Sequence, residues 1–244
     1  MPKLYCARYD DPAIRGQESE RPWALSDILN AEIRYGDRVL DVGSGTGKKT
    51  LGLAQLAGHF TAMDPSGPMR QAVLAASRAR SLSNVTVIGG VASEIPLDDA
   101  TVDVLVCILA PWDASEFCRV LDRDGTVILE VDSELDKRDF KCLFGEDENG
   151  PRGQFLGYPP GGVRAKVQER FSGRFEIATL QEGAWESSLT PDGLVRLLSE
   201  TNLVRDFCPD KDADVLRRAF ELFSDDGRIR LSNHRLLMTA RKCA

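Results

Sequence analysis

Three glycines set two apart, Gly43, Gly45 and Gly47, stand between the apolar run Val39-Leu40-Asp41-Val42 and a stretch of helical spacing over residues 48–57. Glycines so placed let the chain turn sharply and let a ligand approach bare backbone. A short apolar run without polar alternation reads as a buried parallel strand. A helix after the turn aims its first N–H groups into the same gap. The pattern therefore puts a ligand at the carboxyl end of the first core strand of an open α/β sheet. Residues 60–63 read as the next strand, which ends in Asp64-Pro65-Ser66. An acid at that tip, about 20 residues on, suits the two hydroxyls of a ribose. The geometry serves any adenosyl ligand.

The dinucleotide fingerprint G-x-G-x-x-G needs a third glycine where this chain has Lys48, which argues against NAD. The spacing D-x-G-x-G-x-G, from Asp41 to Gly47, instead resembles motif I of the class I S-adenosylmethionine-dependent methyltransferases. That resemblance implies a Rossmann-like α/β fold: seven mostly parallel strands, the last antiparallel, with helices on both faces. It implies S-adenosyl-L-methionine as cofactor. On matching motif positions it implies cofactor contacts from Asp41, Gly43, Ser44, Gly45, Gly47, Asp64, Pro65, Met69, Val91, Ala92, Ile108 and Leu109. Residues 89–97, G-G-V-A-S-E-I-P-L, resemble a family stretch whose aspartate contacts the adenine amino group. Val91 takes that aspartate's place, leaving backbone at 91–92 and apolar stacking to hold the base. The core over 39–131, with Ala110-Pro111 closing the fourth strand, looks most like the ribosomal RNA guanine ring-nitrogen methyltransferases. Their paired zinc-ribbon cysteines have no counterpart in this sequence.

Candidates for the acceptor side are fewer. Leu109-Ala110-Pro111-Trp112 falls where amino-methylating DNA enzymes carry an Asn or Asp that accepts the amino proton. Leu109 cannot accept a hydrogen bond, whereas Trp112 can floor a pocket. Tyr9, in an N-terminal segment of the kind that covers the cofactor in this family, and Tyr158, in the glycine- and proline-rich stretch 145–162, are further candidates. The catalytic residue is left unassigned. His59 and His234 read as structural, and Asp113 and Glu116 follow the fourth strand.

The 31 Lys and Arg against 38 Asp and Glu leave a net charge of −7, without the basic footprint of a nucleic-acid binder. No apolar run approaches the ~20 residues of a membrane span, and no signal-peptide core opens the chain, so a cytoplasmic protein is expected. The six cysteines form no C-x-x-C pair, so no metal site is expected.

Positioning these residues calls for one domain over 1–244: an N-terminal lid and helix (1–36), a cofactor-binding core (37–131) and a substrate-side half (132–244) with a helical insertion at about 181–224. Helices are expected over 48–57, 68–81, 113–120, 132–144 and 163–171. Strands are expected over 84–88, 102–109, 126–131, 175–180 and 235–240. The function expected is methyl transfer from S-adenosylmethionine to a small-molecule acceptor. Methylation of an rRNA or tRNA base is the alternative, and a non-catalytic S-adenosylmethionine-binding regulator the alternative from another class.

Overall fold

The computed structural model describes residues 16–243; Tyr9 and the rest of the segment before Gly16 lie outside them. Seven principal strands carry the fold: β1 (Arg38–Val42), β2 (His59–Met63), β3 (Val85–Ile88), β4 (Val102–Ile108), β5 (Leu121–Asp132), β6 (Phe175–Leu189) and β7 (Arg228–Lys242). Among the described residues the α-helices are α1 (Leu25–Glu32), α2 (Gly67–Ala79), α3 (Ala114–Val120), α4 (Arg138–Cys142), α5 (Gly162–Phe171), α6 (Pro191–Glu200) and α7 (Ala213–Phe223). The chain forms two compact units. Among the described residues, the core unit holds Trp23–Val131, Val167–Gln181 and 236–243; the second holds 16–22, Asp132–Lys166 and Glu182–Arg235.

In the core unit the strand order is β3-β2-β1-β4-β5-β7-β6. The first five pair in parallel, with Val39 opposite both Phe60 and Val104, and Ile108 opposite Glu130. Strands covered on both faces need side chains apolar throughout. Accordingly Leu40, Phe60, Leu105 and Val106 are sealed from solvent. α1 buries Leu29 against Val39, Phe60 and Val104, and α2 buries Met69 and Val73. Pro68 sits in α2's first turn, where its missing N–H costs nothing. Within the second unit β6 and β7 run antiparallel, since Asn233 reaches the Trp185 carbonyl while Ser187 reaches that of Leu231. The mostly parallel sheet with an antiparallel last strand is therefore present.

Several expected boundaries move. Residues 48–57 form only a short 3₁₀ helix, Leu51–Gln55, held by three-residue bonds such as Leu53 N–H to the Thr50 carbonyl. Gly52 weakens an α-helix there, and the Thr50 hydroxyl is drawn to Asp41. The helix expected over 132–144 shrinks to α4. Ser133 and Lys137 N–H groups bond the His234 and Ser232 carbonyls of β7, so this backbone is committed to the strand beside it. β6 runs on through residues 181–189, and the helical part of the expected insertion begins at Pro191. Buried Gly183, Trp185, Ser187 and Leu189 alternate with more exposed neighbours, the period of two that a strand with one covered face shows.

In the second unit Phe140, Phe144, Leu194, Leu198, Phe207 and Leu216 share one cluster. Residues 145–162 include a small antiparallel pair, Glu146–Asp147 with Gly150–Pro151, and are anchored from beneath. Buried Lys141 donates to the Gln154 carbonyl (2.6 Å), and buried Glu134 accepts from Gly161 N–H (2.6 Å) and Val163 N–H (3.2 Å).

Candidate functional site

The turn after β1 is built on its neighbour. Gly43 and Ser44 N–H groups both donate to the Met63 carbonyl at the end of β2 (2.8 and 3.0 Å). The next N–H, of Gly45, donates to Asp64 Oδ2 (2.9 Å), while Ser66 N–H donates to Oδ1 (2.8 Å). Gly43, Gly45 and Gly47 all have positive φ (72°, 55° and 73°). Only glycine takes that region freely. A Cβ on Gly43 would meet Ala110 Cβ at 2.3 Å; one on Gly45 would meet nothing within 4 Å. The middle glycine thus faces open space, and the first is where strand ends pack. Asp41 lies buried below, accepting from the Thr50 hydroxyl. Burial pushes its carboxyl up to about 7; the Thr50 bond opposes that, the charge of Asp64 adds to it and Lys49 opposes it. The hydroxyl oxygens of Ser44 and Ser66 are buried without a hydrogen-bond partner among the described residues. Buried hydroxyls seldom stay unpaired, so these two oxygens, on the residues that flank the Asp64-bonded turn, are polar groups with bonding capacity to spare.

Around this cradle the other expected residues take different places. Pro65 is exposed, and Met69 is buried on α2. Gly90 has no room for a side chain, because a Cβ would lie 2.7 Å from Met63 Sδ and 2.8 Å from Pro96 Cδ. That puts the 89–97 stretch against the strand that carries Asp64. Val91 is 46% exposed and Ala92 is buried. Ile108 is buried, and Leu109 has φ +58° with its N–H bonded to the Glu130 carbonyl (2.8 Å). A branched residue held left-handed is strained backbone, here just past the carboxyl end of β4. Trp112 packs on Phe171 with ring centres 5.6 Å apart. Tyr158 belongs to the second unit, where its hydroxyl accepts from Lys166 Nζ (2.7 Å).

The two acids past β4 serve structure. Asp113 caps α3, accepting from Ser115 and Glu116 N–H (2.9 and 3.0 Å). Glu116 accepts from Arg119 and from Ile95 N–H (2.9 Å), and the Arg119 guanidinium above all holds its carboxyl below the usual range. Arg119 also donates to the Ile95 and Leu97 carbonyls (both 2.8 Å), clamping the 89–97 stretch to α3. Sequence reasoning missed this clamp, and it missed Glu130. That fully buried acid accepts from Trp23 Nε1 (3.1 Å), and its signal was an acid inside an apolar run, as at Asp41. His59 is exposed at the start of β2. In the second unit His234 Nδ1 lies 2.6 Å from Ser133 Oγ, and Arg235 pairs with Asp132 (3.0 Å). Burial, then the charge of Asp136, raises the Asp132 carboxyl. No group of three or more His, Cys, Asp or Glu that could hold a metal occurs among the described residues. No helix among them is long and apolar enough to cross a membrane.

Residues 39–125 match the methyltransferase domain family. An uncharacterised methyltransferase of Mycobacterium tuberculosis is 30% identical over 213 residues, covering 85% of this chain and 79% of that protein. A protein named a putative 23S rRNA (guanine-N(1)-)-methyltransferase, from Micromonospora griseorubida, is 35% identical over 106 residues, 42% of this chain and 34% of its own length. Among solved structures, a putative methyltransferase from Bacillus halodurans superposes with a TM-score of 0.65 at 19% identity, covering 90% of this chain and 99% of that one.

Proposed function

The chain belongs to the class I S-adenosylmethionine-dependent methyltransferases, and from that premise we propose that it methylates a small-molecule acceptor, using S-adenosylmethionine held between Gly45 and Asp64. The observation that carries the cofactor's place is the open space at Gly45 beside Asp64, with the Ser44 and Ser66 hydroxyls unsatisfied. An ionised carboxylate offers about four acceptor positions. Asp64 spends two on Gly45 and Ser66, which leaves acceptors for a ribose diol. The bare backbone of residues 43–47 admits the methionine portion, and Ala92, Ile108 and Leu109 supply apolar walls. When bound, the cofactor supplies an electrophilic sulfonium methyl. The protein's part is to hold the acceptor atom in line and keep water out, and such positioning alone can supply much of the barrier reduction. Asp113 and Glu116 are both committed to α3 and its clamp, so the reading uses no general base from that helix.

A small acceptor is favoured by the net charge of −7, which repels a phosphate backbone. The alternative, an RNA base, draws on the partial relative whose name refers to 23S rRNA. Calorimetric titration with S-adenosylmethionine, S-adenosylhomocysteine and NAD, then labelled-methyl transfer into fractionated cell extract, tests both parts. Expected are binding of the first two and not NAD, and label in the low-molecular-weight fraction. Label in RNA would move the assignment to the alternative; tight NAD binding with neither sulfur ligand would remove the reading.

A further inference from the structure

Arg70, in the first turns of α2, joins the two halves of the proposed nucleoside site. Its Nη1 donates to the backbone carbonyls of Asp64 (2.8 Å) and Pro65 (2.9 Å) at the tip of β2. Its guanidinium also lies over Gly89: a Cβ there would sit 3.4 Å from Cζ and Nη1 and 3.7 Å from Nη2. One planar cation therefore spans from the residue assigned to ribose to the start of the 89–97 stretch. Nε and Nη2 have no hydrogen-bond partner among the described residues and are not sealed from solvent. Two residues beyond Gly89 the stretch carries Val91, half-exposed and with a side chain that offers no acceptor. A purine bound along this stretch would find no carboxylate at residue 91 for its amino group, while guanidinium donors suit its ring nitrogens, which are acceptors. A guanidinium also stacks on aromatic faces.

We propose that Arg70 is the base-recognition residue of the cofactor site, reading the purine as a hydrogen-bond acceptor where a carboxylate at residue 91 would read it as a donor. The inference rests on the cofactor reading above. Its consequence is weak discrimination at C6 of the purine. A carboxylate rejects a C6 oxygen because two acceptors then face each other; a guanidinium welcomes it.

Calorimetry with S-adenosylhomocysteine and its hypoxanthine counterpart, S-inosylhomocysteine, reads this directly, with a thermal melt beside each titration. The wild-type chain should bind the two within about fivefold. Arg70→Met should weaken both by about tenfold or more, the hypoxanthine ligand further, since charge-assisted bonds are lost. Arg70→Lys, which keeps charge but not the fork, should recover part of the affinity. Val91→Asp should raise the preference for adenine about tenfold or more by supplying the missing acceptor. A wild-type chain that binds S-adenosylhomocysteine but rejects the hypoxanthine ligand more than about a hundredfold overturns the inference alone. So does an Arg70→Met chain with a lowered melting temperature and an unchanged ratio of the two affinities, which would make Arg70 a backbone pin. Failure of both ligands to bind the wild type overturns the cofactor reading, and this inference with it.

Discussion

Both oxygens of Asp64 accept backbone N–H groups, so removing the carboxylate strands the donors of Gly45 and Ser66 as well as any ligand hydroxyls. Asp64→Ala should weaken S-adenosylhomocysteine binding by ~1–3 kcal/mol and lower the melting temperature as well. Titration and melting of the same variant check it, and wild-type affinity would remove the ribose assignment. Asp41 differs in kind, because its burial is visible in its ionisation. Its carboxyl, raised from 3.8 to about 7, holds a proton in the folded chain over a range where the unfolded chain has lost it. Folding stability should therefore fall as pH rises through that window, by up to about 1.4 kcal/mol per pH unit. Asp41→Asn should flatten the curve of melting temperature against pH between 4 and 7; parallel curves for variant and wild type would count against the buried acid. The residue identities at this site were legible because glycine and an in-strand acid have few other uses in such a context. The roles of Arg70, Arg119 and Glu130 were not, since each depends on a partner far along the chain or on backbone carbonyls that a sequence does not show.

The glycine turn separates packing from ligand space within one element. Gly43→Ala would drive a methyl into Ala110 and should cost stability, with a clear drop in melting temperature. Gly45→Ala meets no atom and should cost only the ~1–2 kcal/mol of left-handed backbone while losing cofactor affinity out of proportion. Melting and titration of the pair decide it: equal losses of affinity per degree of destabilisation would mean Gly45 faces no ligand. At the next element, Arg119→Met removes the bonds to the Ile95 and Leu97 carbonyls while α3 keeps its Asp113 cap. Amide exchange should rise in residues 94–99 and stay unchanged in β1 and β4. Elements whose periodicity matched their burial, such as α2 and β4, were readable from the chain. Residues 48–57 were not, because apolar spacing suited a helix while Gly52 and the Thr50 side chain favoured a tighter turn. Ser133 and Lys137 spend their N–H groups on β7, about a hundred residues on, and no local pattern could announce that.

For the molecule as a whole, charge is the property that bears on its acceptor. A net charge of −7 predicts RNA association that is weak and only shallowly dependent on salt. A filter-binding series over ionic strength checks this, and a log–log slope of about −4 or steeper would reveal a groove making several phosphate contacts. The division into two units also sorts the candidates. Every expected cofactor residue falls in the core unit, whereas Tyr158 and the partly buried Asp132–Arg235 pair fall in the second. By itself the sequence determined the open α/β sheet, the family and the glycine turn with its two acids. Strand burial and turn conformation are short-range demands, written in residues that stand beside one another. Only the tertiary structure decided which donors Asp64 had already taken, that Asp113 and Glu116 were spent on α3, and that Arg70 reached across to Gly89. Those are contacts between segments that the chain separates and the sheet brings together, and pairing across a sheet leaves no local periodicity to read.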